Sequence, residues 1–166
     1  MVTIKHLIIA VLAVGIAVWA AFYVFQSEER KVKKPFHLLE GWVSKEGGEN
    51  AFVMAHKTQS IGSLFAQEFE LRTEIDSVSG SYAPEEVSSL AARGRLMFSS
   101  LSLKFSDFDV KFPEEGTAKV ILVAALKGKS TAGEYMDETH ELECILKKID
   151  KKWLFSYVEM VQVLKK

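Results

Sequence analysis

The sequence predicts an α+β protein in which an N-terminal transmembrane helix precedes a curved antiparallel sheet covered by about three helices. Three observations carry this. Residues 117–164 hold three long strand-like runs separated by two tight breaks. Upstream of them, residues 35–101 place apolar side chains mainly at helical spacing. An uninterrupted apolar run begins at Leu7 and ends at Phe25.

The apolar run LIIAVLAVGIAVWAAFYVF covers 19 residues, residues 7–25. At about 1.5 Å per residue it spans roughly 28 Å, close to the hydrocarbon thickness of a bilayer. Trp19, Phe22 and Tyr23 lie toward its C-terminal end, where aromatic rings favour the interface. The rival is a cleaved signal peptide with a small-residue site at Val18, Trp19 and Ala20, but the apolar run continues past that point. The chain therefore divides into a tail and membrane helix, residues 1–28, and a domain, residues 29–166. Arg30, Lys31, Lys33 and Lys34 follow the span, which by the positive-inside rule places the domain in the cytoplasm. Short tail, span and soluble domain is also the layout of bacterial inner-membrane proteins that face outward, and the expectation adopted is a domain outside the cytoplasm. His6 falls at headgroup level.

Residues 26–34 form the charged link. Pro35 suits a first helical turn, and Phe36, Leu39, Trp42 and Val43 recur at helical spacing up to Lys45. Gly47 and Gly48 stop that helix. Asn50 caps a second one whose apolar face is Phe52, Val53, Ala55 and His56. Alternation from Phe69 to Ile75 predicts a strand, and the serine- and glycine-rich residues 77–83 a loop or frayed strand. Pro84, Glu85 and Glu86 open a third helix that runs through Val87, Leu90 and Ala91 to about Leu101. Phe108, Val110 and Phe112 then alternate with charged residues, a further strand ended by the turn at residues 113–116.

The last three strands rest on a period of two. From Trp153 the set Trp153, Phe155, Tyr157, Glu159, Val161 and Val163 faces one way, while Leu154, Ser156, Val158, Met160, Gln162 and Leu164 face the other. At a period of 3.6 the same apolar residues would surround a helix completely. The preceding strand is polar in its first half and apolar in its second, as suits a long bent strand that leaves the core at one end. Asp150, Lys151 and Lys152 make a short hairpin, and an antiparallel meander is the simplest topology.

Charge is balanced, with 21 basic and 22 acidic residues, so no global field favours nucleic acid. The one cysteine, Cys144, lies within a strand and reads as structural. The four histidines show no metal-ligand spacing, there is no glycine-rich phosphate loop, and no G-x-S-x-G elbow occurs. Arg93 and Arg95 read as solvent-facing, and His37 and His56 as half-buried helical histidines. No metal and no cofactor are expected.

The element order, the domain length and the ending ELECILKKIDKKWLFSYVEMVQVL resemble the nuclear-transport-factor-2-like family, also called the cystatin-like cone or SnoaL-like fold. The resemblance covers roughly residues 32–164 and carries no catalytic motif. It implies a pocket between sheet and helices, and members that range from isomerases, dehydratases and polyketide cyclases to docking modules and assembly subunits of bacterial secretion machinery. Trp42, Phe52, Phe108, Trp153, Phe155 and Tyr157 are the expected pocket or core lining. An acid–base enzyme needs a carboxylate or histidine in a dry pocket. The weak candidate is His140, which shares a strand face with Glu138 and has Asp137 and Glu141 on the other. Its position in the polar half of the strand suits a solvated edge equally well. The expected function is a membrane-anchored binding or assembly module without catalysis, with the bilayer held through Leu7 to Phe25 and protein partners or self-association. The alternative is a pocket-containing isomerase, dehydratase or small-ligand carrier. An apolar pocket favours the first, and a charged group paired with a second polar one favours the alternative.

Overall fold

The computed structural model describes residues 4–74 and 77–161. Helix α1 (Ile4–Val43) leads into α2 (Ala51–Gly62), followed by strands β1 (Phe65–Arg72) and β2 (Gly80–Tyr82). Helix α3 (Pro84–Leu96) then precedes β3 (Phe98–Glu114), β4 (Thr117–Ser130), β5 (Tyr135–Ile149) and β6 (Lys152–Val161). Ile75, the predicted end of the first strand, residues 162–164 at the end of the last, and the His6 side chain lie outside the described residues.

α1 is a single helix of 40 residues, about 60 Å long at 1.5 Å per residue. The predicted link at residues 26–34 and a separate helix starting at Pro35 are therefore corrected. Pro35 lies inside α1, where it cannot donate to the Lys31 carbonyl and costs about 3 kcal/mol relative to Ala. Val32 and Phe36, both essentially sealed from solvent, flank it. Burying each contributes about 1.5–3 kcal/mol, which offsets the proline. The pairs Lys31–Glu28 and Lys33–Glu29, at 2.8 and 2.6 Å, add a few tenths of a kcal/mol each along the exposed face. Residues 9–26 are exposed along their whole length, and the helix is long and apolar enough to cross a membrane.

Asn50 caps α2 as its sequence suggests, its Oδ1 accepting from the Val53 amide at 2.9 Å. The buried face is Thr58 and Ile61, however, and Phe52 is 80% exposed. Phe52 is thus not core or pocket lining. It lies in the first turn of α2, whereas the contact with α3 is made through the last turn, where a Cβ on Gly62 would overlap the Pro84 carbonyl. His37 and His56 are exposed and not half-buried. α3 opens with Glu86 accepting from the Ala83 amide at 2.7 Å and ends at Leu96, five residues short of Leu101. Leu101 instead faces the core from β3.

Among the described residues the sheet has six strands in the order β2-β1-β6-β5-β4-β3. β4 to β6 form the expected antiparallel meander, and β3 extends it by pairing antiparallel with β4. β1 adds to β6 in parallel, so the first strand in the chain lies beside β6 in the sheet. Residues 80–82, left between loop and strand by the sequence, pair with β1.

Two bulges set which residues face the helices. In β3, Asp107 takes a left-handed backbone with φ of 54°, and one extra residue intervenes between Ser106 and Asp109. Phe105 and Phe108 consequently both meet Phe36, at centroid distances of 5.4 and 5.3 Å and close to edge-on. In β6, Ile145 pairs with Tyr157 but Leu146 pairs with Phe155, which leaves Ser156 as the extra residue. Directly paired residues share a face, so Val158, opposite buried Cys144, turns inward and Tyr157 turns outward. Tyr157 is corrected: its ring lies under the Arg72 guanidinium and its hydroxyl donates to Glu159 at 2.7 Å.

The core lies between α1, α3 and the covered sheet face. Its hub is Phe36, 1% exposed, whose ring also meets Phe155 perpendicularly at 4.8 Å. Ala118, Val120, Leu122, Cys144 and Leu146 line the sheet beneath it.

Candidate functional site

The cavity that the fold positions between helices and sheet has a volume of about 230 Å³. α1 contributes Phe36 and Leu39, α3 contributes Val87, Leu90 and Ala91, and β1 contributes Phe65, Phe69 and Leu71. Phe105 of β3, Leu142 and Cys144 of β5, and Phe155 and Val158 of β6 complete the wall. The β6 bulge matters here, because an unbroken alternation along β6 would have put Tyr157 where Val158 sits.

The Cys144 sulfur is the one heteroatom among these side chains. Cys144 is 1% exposed, and burial, with Glu143 next to it, pushes its thiol up to about 12. A thiol so placed is neither a nucleophile nor a general base at neutral pH. The lining otherwise offers no group that could donate or accept a proton or stabilise charge. What the cavity can do is solvate a small apolar group.

Of the residues expected as pocket or core lining, Phe155 lines the cavity, and Trp153, Trp42 and Phe108 belong to the core or pack against it. Trp153 is buried on the same face of β6 but lower, next to Phe112 at 5.9 Å, with its Nε1 donating to Glu28 at 3.3 Å. Trp42 is half-buried in a separate groove with Leu38 and Leu154. Phe108 packs on Phe36 beneath the Lys33 ammonium. His140 lies two residues beyond Leu142, past the cavity wall, with its side chain 38% exposed and its Nε2 3.2 Å from Glu138. Asp137 is paired across the strands with Lys127 at 2.9 Å. The cluster is thus a strand end open to water and not a catalytic pair inside the pocket. Among the described residues no three His, Cys, Asp or Glu side chains gather as a metal site requires.

A second polar cluster escaped the sequence reading. Arg95, expected to face solvent, is 1% exposed. Its guanidinium donates to the carbonyls of Trp42, Val43 and Ser44, the last at 3.0 Å, and to the Glu49 carboxylate. Glu49 also holds Lys57 at 2.8 Å. Burial pushes the Glu49 carboxyl up, but the hydrogen bonds from Lys57 and Arg95 outweigh it and hold the group below the usual range. The last carbonyls of a helix have no intrahelical donor, and a cation there also meets the negative end of the helix dipole. Arg95 therefore serves as a C-terminal cap for α1. No local pattern signals it, since its partners lie 46 or more residues away.

No protein-family model matches the chain. No curated protein matches it. Among solved structures it is similar to a protein of Novosphingobium aromaticivorans named for scytalone dehydratase, with a TM-score of 0.66 at 16% identity over 84% of this chain and 86% of that one. It is similar to a type 2 hexachlorocyclohexane dehydrochlorinase, LinA, with a TM-score of 0.66 at 13% identity over 82% and 85%. Protein Kfla4162 of Kribbella flavida superposes with a TM-score of 0.69 at 7% identity over 82% and 90%. Likenesses at such identities establish the fold, which is the nuclear-transport-factor-2-like cone that the C-terminal strands resemble.

Proposed function

We propose that the chain is a single-pass, membrane-anchored cone domain that works as a binding or assembly module without catalysis. The observation that carries this reading is the cavity wall, in which side chains from α1, α3, β1, β3, β5 and β6 leave no titratable group except a buried neutral thiol. Dehydration and dehydrochlorination, the reactions for which two of the similar proteins are named, need a base placed at the substrate. Here the polar groups lie outside the cavity. The exposed apolar first half of α1 supports anchoring. A signal sequence has the same composition, but Val32 and Phe36 make the end of this same helix part of the domain core. The domain is read as standing outside the cytoplasm of a bacterial inner membrane.

The test is to solubilise membranes containing the full chain in mild detergent, purify it by affinity and weigh the complexes by native mass spectrometry. A protein partner or a defined homo-oligomer is expected. A monomer that retains a small molecule, released when Ala91→Phe fills the cavity, would replace this reading with the ligand-carrier alternative.

A further inference from the structure

α1 and two hairpin tips meet at one level of the molecule. Phe25, the last residue of the apolar run, meets Phe112 edge-on at 5.3 Å. One turn later, Glu28 accepts from Lys148 Nζ at 3.0 Å and from Trp153 Nε1. The β3–β4 turn reaches further back along the helix, where Glu115 and Gly116 share a hollow with Ala20, Ala21 and Val24. Ala20 lies inside the apolar run, about 7 Å before its end at 1.5 Å per residue. If residues 7–25 cross the bilayer, the base of the domain stands in the headgroup layer, and the inference below rests on that anchoring.

The base is positively charged. The β5–β6 hairpin carries Lys147, Lys148, Lys151 and Lys152 against one acid, Asp150, all of them exposed. Its turn is tight, with φ of 49° at Asp150 and 64° at Lys151, and Ile149 is exposed beside them. Lys34 of α1 lines one groove with Lys151 and Lys152. Of the nearby acids, Glu28 is occupied by Lys31 and Lys148, and Glu29 by Lys33. Glu114 and Glu115, on the neighbouring turn, oppose an anionic surface. With Asp150 they make three acids, outnumbered by Lys34, Lys147, Lys151 and Lys152, none of which has an ion-pair partner among the described residues. Unpaired lysines grouped at bilayer height have a complement in the lipid phosphates themselves.

We infer that the base of the domain, through Lys147, Lys151 and Lys152 of the β5–β6 hairpin and Lys34 of α1, binds the headgroups of anionic phospholipids in the membrane that α1 spans. The rigid continuity of α1 holds these lysines at headgroup depth, and the exposed Ile149 enters the interface between them.

The experiment places the full chain in nanodiscs of phosphatidylcholine alone or with one-third phosphatidylglycerol, and maps amine acetylation by mass spectrometry. Acetylation of Lys147, Lys151 and Lys152 is expected to slow roughly fivefold in the anionic discs and to recover in about 1 M salt, where charges are screened beyond about 3 Å. Lys104, near the middle of β3 and away from the base, serves as the internal reference. A Lys147→Gln/Lys151→Gln/Lys152→Gln variant should lose the dependence of Lys34 on lipid charge. Incorporation into both discs with equal acetylation overturns the inference and leaves anchoring intact. Failure to enter either disc overturns the anchoring and the inference with it.

Discussion

Arg95 is buried against Glu49, with side-chain exposures of 1% and 7%, and the same guanidinium closes the C-terminal end of the helix that carries the apolar run. Removing the cation strands a buried carboxylate and three helix carbonyls at once. Breaking a buried pair from one side costs about 3–5 kcal/mol. Arg95→Ala should therefore lower the melting temperature of the full chain in detergent by more than about 10 °C. Arg95→Lys should recover only part of this, because a single ammonium cannot reach carbonyls and carboxylate together. An unchanged melt would mean the guanidinium is not enclosed.

Trp153→Ala and Phe155→Ala should each cost about 3–5 kcal/mol, since both rings are buried on the same face of β6, at 6% and 1% exposure. Phe52→Ala, by contrast, should change stability by less than about 0.5 kcal/mol. Denaturant titration of the three variants checks the contrast. A large loss at Phe52 would show that α2 packs through its first turn after all.

Cys144 should resist thiol reagents in the folded chain. Its sulfur is sealed in the cavity wall, and its thiol is pushed to about 12, so the reactive thiolate is scarce at neutral pH. Reaction with a chromogenic disulfide should be slow in detergent and fast once denaturant is added. Rapid modification without denaturant would indicate an open, wet cavity and would weaken the non-catalytic reading.

Hydrogen bonds from Lys31 and Lys148 hold the Glu28 carboxyl at about 2, against an ordinary 4.5. A carboxyl depressed by folding stabilises the folded state fully above about 4.5 and loses that contribution as pH falls toward about 2. The acid limb of the melting curve should therefore be shallower in Glu28→Gln than in the parent. Glu49 is depressed in the same direction and remains in both proteins, so the difference isolates Glu28. Superimposable acid limbs would rule out the pairing between α1 and the β5–β6 hairpin.

His140→Ala should leave stability within about 0.5 kcal/mol, because the pair with Glu138 is exposed on both sides. Equilibrium unfolding measures it, and a loss above about 2 kcal/mol would place the imidazole inside the cavity.

Side-chain period and apolar length are local properties, and they were enough to identify the apolar helical run ending at Phe25, the β4–β6 meander, the Asn50 cap and the start of α3 at Pro84. The burial of Trp153 and Phe155 was legible for the same reason. Facing beyond Phe155 was not, because the bulge at Ser156 arises from pairing with β5, and one extra residue moves Tyr157 out and Val158 in. Pro35 reads locally as a helix start, yet burial of Val32 and Phe36 against a sheet built much later in the chain keeps α1 unbroken. The polar end of β5 around His140 was visible in sequence, whereas the apolar cavity wall required six elements to be assembled. Arg95 looks in sequence like any helix-surface arginine. Only where α1 ends over α3 does a ring of unsatisfied carbonyls and a single carboxylate make its burial favourable.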